Sequence, residues 1–424
     1  MMRNDKIKVF IEYISVLVGS GFLRFISFVT LIIITKSLTV EKFGEFSLFI
    51  TIMMFCWQLT APLDLTYVKF ACSQVDDKAK VSYLRDNLVF KICFILFIFL
   101  LCYPLSYTLA FVVFQRPGVV VWILIALLTG ALLSISSSYA ATFQVEKRFG
   151  AFSVVNSAFN IIILLVILTI FFLKSFLSLP ILSFSYLGVS IFLVITMCSL
   201  IYKKFDKLFH YNNQTLGESF HFVKWIIVSN VFKLMANRMD IFLLGRFVSF
   251  YDLGLYSAAV RFSALAMLFV GTIMPVFITR VTNALTSPEN FKQYLKESLL
   301  ILSCIAFVIL ILIRFSPFLI TLLFGEKYND SFQLTNILLI QVFISGMCVP
   351  PMAIFYGLKL PSLIMKFEFL FFFSTIFLVF IFVKFFGVFG AAWGLVFSSF
   401  IYFLTLVLFA MIKIRAIFHE QKRS

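Results

Sequence analysis

Apolar runs of about 20 residues follow one another along almost the whole of this 424-residue chain. A helix of that length, rising about 1.5 Å per residue, crosses the roughly 30 Å hydrocarbon core of a bilayer. Backbone in hydrocarbon must satisfy its own hydrogen bonds, so it spans only as helix or as a closed barrel. Barrel strands are about 10 residues long with alternating polarity, whereas Ile161 to Phe172 and Phe369 to Val383 are apolar without alternation. Composition agrees: 62% of residues are hydrophobic and the mean hydropathy is +1.07, against about 45–50% apolar in soluble domains. The chain is therefore expected to be an all-α polytopic membrane protein.

Predicted spans fall at 9–35, 44–70, 88–109, 119–142, 151–172 and 177–202, then at 220–247, 253–279, 295–315, 331–355, 363–385 and 388–412. These give about 12 transmembrane helices in two six-helix bundles, 1–202 and 220–424, joined by a polar linker at 203–219. The first run is too long for a cleaved signal and contains Arg24. Between 316 and 330, the apolar piece Phe318 to Phe324 is too short to span and reads as an interfacial or re-entrant turn.

The net charge of +16, from 35 Lys and Arg against 19 Asp and Glu, would suggest nucleic acid in a soluble protein. Placement points elsewhere. Basic residues gather in alternate loops: Lys78, Lys80 and Arg85; Lys147 and Arg148; Lys203, Lys204 and Lys207; Lys292 and Lys296; Lys359; and the tail from Lys413 to Arg423. That asymmetry puts the linker and both termini in the cytoplasm. The seven cysteines form no CxxC pair and read as small buried hydrophobes; with the three histidines they offer no ligand spacing, so no metal is expected. Outer loops are short and carry no His-Asp pair, DxD or nucleophile motif, which argues against an enzyme such as a polysaccharide polymerase or acyltransferase.

An internal repeat is visible. Thr39 to Ser47 reads TVEKFGEFS and Ser249 to Ser257 reads SFYDLGLYS, an offset of 210 residues at the same point of each half. An even number of spans per half makes the repeats parallel, related by a pseudo-two-fold axis along the membrane normal, with a central cavity as the consequence. Together with Asp240-Ile241-Phe242-Leu243-Leu244-Gly245, Gly254-Leu255-Tyr256-Ser257-Ala258-Ala259, Arg261 and Gly387-Val388-Phe389-Gly390-Ala391-Ala392-Trp393-Gly394, these motifs make the chain resemble the polysaccharide and O-antigen flippases (Wzx-type) of the multidrug/oligosaccharidyl-lipid/polysaccharide exporter superfamily. The resemblance implies alternating-access export of an isoprenoid-diphosphate-linked oligosaccharide, an O-antigen or capsule repeat unit, across a bacterial inner membrane. It also implies polysaccharide-assembly proteins as partners, no cofactor, and H+ or Na+ as coupling ion.

Charges inside spans are costly and serve function by default. Arg24, Lys233, Arg238 and Arg261 stand within the predicted spans, and Asn230, Lys233, Asn237 and Asp240 recur at helical spacing. The candidate substrate cavity is Arg24, Lys233, Asn237, Arg238, Asp240 and Arg261, its cations suited to diphosphate oxygens. The alternative is a structural clamp of Asp240 on Arg24, Arg238 or Arg261. Asp64 and Glu368 are candidates for ion coupling, against simple pairing of Asp64 with Lys69 and of Glu368 with the interface. Ser134, Ser136, Ser137 and Ser138 read as a close-packing helix face. A drug or cation antiporter of the same superfamily would favour a carboxylate-rich, cation-poor cavity.

Overall fold

The computed structural model describes residues 25–72, 74, 77–173, 177–202, 213–271, 274, 277, 280, 281, 284–358 and 360–421. Its helices are α1 (Phe25–Ser37), α2 (Val40–Gln58), α3 (Ala61–Cys72), α4 (Asp77–Thr108), α5 (Val120–Val145), α6 (Phe149–Phe172), α7 (Leu179–Tyr202), α8 (Asn213–Phe247), α9 (Phe250–Gly271), α10 (Pro288–Phe324) and α11 (Ser331–Gly357). A final stretch, Pro361–Gln421, is broken at Gly387 into α12 (361–386) and α13 (388–421). Among the described residues, eight stretches are long and apolar enough to cross a membrane. The chain is a polytopic membrane protein. Residues 203–212 of the predicted linker lie outside the described residues, and 213–219 form the first turns of α8.

Contacts divide the chain into two compact units, Met1–Leu234 and Met235–Ser424. In the first, α5 packs against α2, α3, α4, α6 and α7. Small residues make that possible: Ala126, Gly130, Ala131, Ser134 and Ser138 are buried along α5, and a Cβ at Gly130 would run into the Met53 carbonyl of α2. In the second unit the same hub position belongs to α11, packed against α9, α10 and the Pro361–Gln421 stretch. By contrast, α4 and α10 turn large side chains such as Phe97, Phe99, Phe307 and Phe318 outward. Those are the surfaces a lipid chain would cover.

Both copies of the repeat open a helix in the same way. Thr39 caps α2 by accepting from the Lys42 amide at 3.3 Å, and Ser249 caps α9 by accepting from the Asp252 amide at 3.1 Å. Phe43, Phe46 and Ser47 are buried in one copy, as Leu253, Tyr256 and Ser257 are in the other. Gly387-to-Gly394 also has a structural reading. Gly387 turns the chain at φ 57°, a Cβ at Gly390 would meet the Phe382 carbonyl, and one at Gly394 would come within 2.8 Å of the Val379 Cα.

Two expectations are corrected. The piece Phe318 to Phe324 is not a separate turn; it continues α10, which runs through Pro317 and ends at Gly325 with φ 98°. Proline removes the donor that would serve the carbonyl four residues back, and Ser316 Oγ lies 3.0 Å from that oxygen, on Ile313. The cysteines are not uniformly buried: Cys56 and Cys348 are, whereas Cys72, Cys93 and Cys304 are exposed, because an outward helix face in a bilayer also accepts a small apolar side chain.

Candidate functional site

A buried polar network ties α3, α4 and α5 together in the first unit. Lys91 lies fourteen residues into α4, about 21 Å along the helix at the usual rise, and its side chain is 0% exposed. Its three ammonium donors meet Asp64 Oδ1 at 2.7 Å, the Ser134 carbonyl at 2.6 Å and Ser137 Oγ at 2.9 Å. The Ser137 hydroxyl donates to Asp64 Oδ2 at 2.7 Å, and Asn87 Nδ2, one turn before Lys91, donates to Asp64 Oδ1 at 3.0 Å. Next to Asn87, the buried Asp86 accepts from Arg85 Nη2 at 2.6 Å. Toward the α3–α4 turn, Tyr67, Ala71, Tyr83, Leu84 and Ala141 form a buried apolar cluster.

This network is not a requirement of the fold. Removing two charges from water costs several kcal/mol per ion, and a well-packed apolar replacement is often as stable or more so. The second unit makes that comparison internally. At the repeat offset of 210, Asp64 and Lys91 correspond to Met274 and Ile301, both part of an apolar core around α11. The second unit's pair, Arg280 with Glu297, is partly exposed, and a buried charge pair kept in only one of two similar hubs is a candidate functional group.

Asp64 thus bonds Lys91 rather than Lys69, whose ammonium lies 5.4 Å from the Phe70 ring centroid. Of the serine cluster, Ser134 and Ser137 hold the network, Ser136 Oγ donates to the Leu133 carbonyl, and Ser138 Oγ is buried with no hydrogen-bond partner among the described residues. Lys91, Asn87 and Asp86 are absent from the sequence-based candidates. Lys91 sits near one end of the predicted span 88–109, where a lysine can reach the interface with its head group, and only its enclosure by three helices distinguishes it.

In the second unit Asp240 on α8 is 6% exposed and accepts from the Tyr256 hydroxyl of α9 at 2.7 Å. Among the described residues the side chain that hydrogen-bonds it is that tyrosine, and Arg24, one of the arginines expected to clamp it, lies outside them. Asn237 is exposed, and Arg238 and Arg261 are half-buried. In the first unit Asn230 donates to the Gln58 carbonyl at 2.7 Å, so the expected polar stripe of α8 does not share one environment. Glu368 is exposed and accepts from the Tyr402 hydroxyl at 3.0 Å. Arg24 and the Lys233 side chain lie outside the described residues.

The fold is shared with solved transporters. An inward-facing multidrug resistance MATE family transporter of the MOP superfamily matches with a TM-score of 0.76 at 13% identity, over 93% of this chain and 95% of that one. The lipid II flippase MurJ in an inward closed conformation matches with a TM-score of 0.73 at 14% identity, over 95% of this chain and 89% of that one. In sequence, a Shigella flexneri protein provisionally named an O-antigen transporter is 27% identical over 147 residues, a stretch that spans about a third (34%) of each chain. The model of the polysaccharide biosynthesis protein family matches residues 11–280, well over half of the 424. The chain belongs to the polysaccharide biosynthesis protein family.

Proposed function

We propose that this protein is a flippase, not an enzyme, which moves an isoprenoid-diphosphate-linked oligosaccharide from the cytoplasmic to the outer leaflet of a bacterial inner membrane by alternating access. The observation that carries the reading is the family match over residues 11–280; the name of the Shigella flexneri relative and the fold shared with a lipid II flippase support it. The cargo would be an O-antigen or capsule repeat unit, handed on to polysaccharide-assembly proteins. Its diphosphate calls for cations, which Arg24, Lys233, Arg238 and Arg261 would supply, with Asn237 and Asp240 beside them. Asp64 and Glu368 would serve coupling to H+ or Na+, and both termini would lie in the cytoplasm.

The likeness to multidrug transporters favours a second reading, antiport of a cationic drug. Such cargo needs a carboxylate free to meet it, and Asp64, one of the two acidic residues singled out in the sequence for ion coupling, already holds Lys91. The test is leaflet assignment of the lipid-linked sugar in cells depleted of this protein and complemented with wild type, Arg24→Ala or Lys233→Ala at matched membrane abundance. Cytoplasmic-side accumulation that wild type clears and the variants do not is the expected result. Normal export in depleted cells would overturn the flippase reading.

A further inference from the structure

The surroundings of Lys91 have the chemistry of a cation site. A carboxylate oxygen, a main-chain carbonyl and a hydroxyl converge on Nζ at 2.6–2.9 Å with no exposure of the side chain. Oxygen ligands of these three kinds are those that hold hard metal cations in proteins. One more oxygen of the same network is uncommitted. Asn87 is 4% exposed, its Nδ2 is committed to Asp64 Oδ1, and its Oδ1 is buried with no hydrogen-bond partner among the described residues. The amide cannot turn round without setting its oxygen against the carboxylate, which only accepts. An ammonium has three donors and all three are used. A spherical cation is not limited to three partners.

We propose that Asp64, Asn87, Ser134 and Ser137 form a monovalent-cation site in which the Lys91 ammonium is the resident, covalently tethered cation, and that vacating it opens the site to a free alkali ion. The unlike chemistry of the two hubs fits this assignment: at the repeat offset Asp64, Ser137 and Lys91 become Met274, Met347 and Ile301, and Glu297, at the position of Asn87, pairs instead with Arg280. The oxygens and the cation occur together.

The test uses the purified full-length chain in detergent, with thermal unfolding followed in sodium, potassium or choline chloride at equal ionic strength. Wild type should gain less from sodium or potassium over choline than Lys91→Ala does. Lys91→Ala should unfold at a lower temperature in choline and recover several degrees, saturably, in sodium or potassium, because an ion bound only by the folded state stabilises by mass action. Adding Asp64→Asn should abolish that recovery. Lys91→Ser, which supplies one more oxygen, is made in parallel. A Lys91→Ala response equal in all three salts would overturn the proposal, as would a gain in sodium or potassium no larger than that of wild type. Failure of both Lys91→Ala and Lys91→Ser to yield folded protein in sodium and in potassium would also overturn it, since the vacated site should then have been filled.

Discussion

Tyr256 on α9 gives its hydroxyl to Asp240 Oδ2 on α8 at 2.7 Å, while Asp240 Oδ1 is buried with no hydrogen-bond partner among the described residues. One tyrosine therefore carries the side-chain solvation of this carboxyl group. Tyr256→Phe is expected to cost about 1–3 kcal/mol, the penalty for stranding a buried polar group. On an Asp240→Leu background the same change should cost almost nothing. Thermal unfolding of the four proteins of this cycle gives the coupling directly.

Lys91 and Asp64 should show the same non-additivity more strongly. Lys91→Met leaves a buried carboxylate and Asp64→Leu leaves a buried ammonium, and each is expected to cost about 3–5 kcal/mol. The double variant, apolar as the second unit already is at Met274 and Ile301, should be more stable than either single. Unfolding temperatures that fall additively would show that the two side chains do not depend on one another.

The proline in α10 gives a local prediction. Ser316→Ala should cost roughly 1–2 kcal/mol because it removes the donor nearest the Ile313 carbonyl and the partner of Asn336 Oδ1, which lies 2.8 Å from Ser316 Oγ. Pro317→Ala restores the main-chain donor, so Ser316→Ala made on that background should cost measurably less.

Close packing of α5 on α2 is tested by Gly130→Ala, whose methyl group would collide with main chain at Met53. The expected cost is about 1–3 kcal/mol, typical of overpacking. Gly188, inside α7, has open space where a Cβ would go, and Gly188→Ala should stabilise by about 0.4–1 kcal/mol through the unfolded chain. The pair of variants separates steric contact from helix propensity.

Much of the fold was legible in the residues because its signals are local. Run length decides that a segment spans, Thr39 and Ser249 start helices by capping them, and Gly387 ends α12 by taking a positive φ. The repeat could be read from Gly, aromatic and Ser positions that the structure buries in both copies. Which charges meet was not legible. In a soluble helix the polar face marks the outside, but here the lipid-facing and core-facing sides are both apolar, so periodicity carries little information about which way a side chain points. Asp64 lies 27 positions from Lys91 and 73 from Ser137, and only the packing of α3, α4 and α5 brings them together. The sequence by itself determined that the chain is a stack of membrane-spanning helices with a duplicated plan; the tertiary structure decided that one hub of that plan closes around an ion pair, because enclosure of a charge is a property of three helices at once.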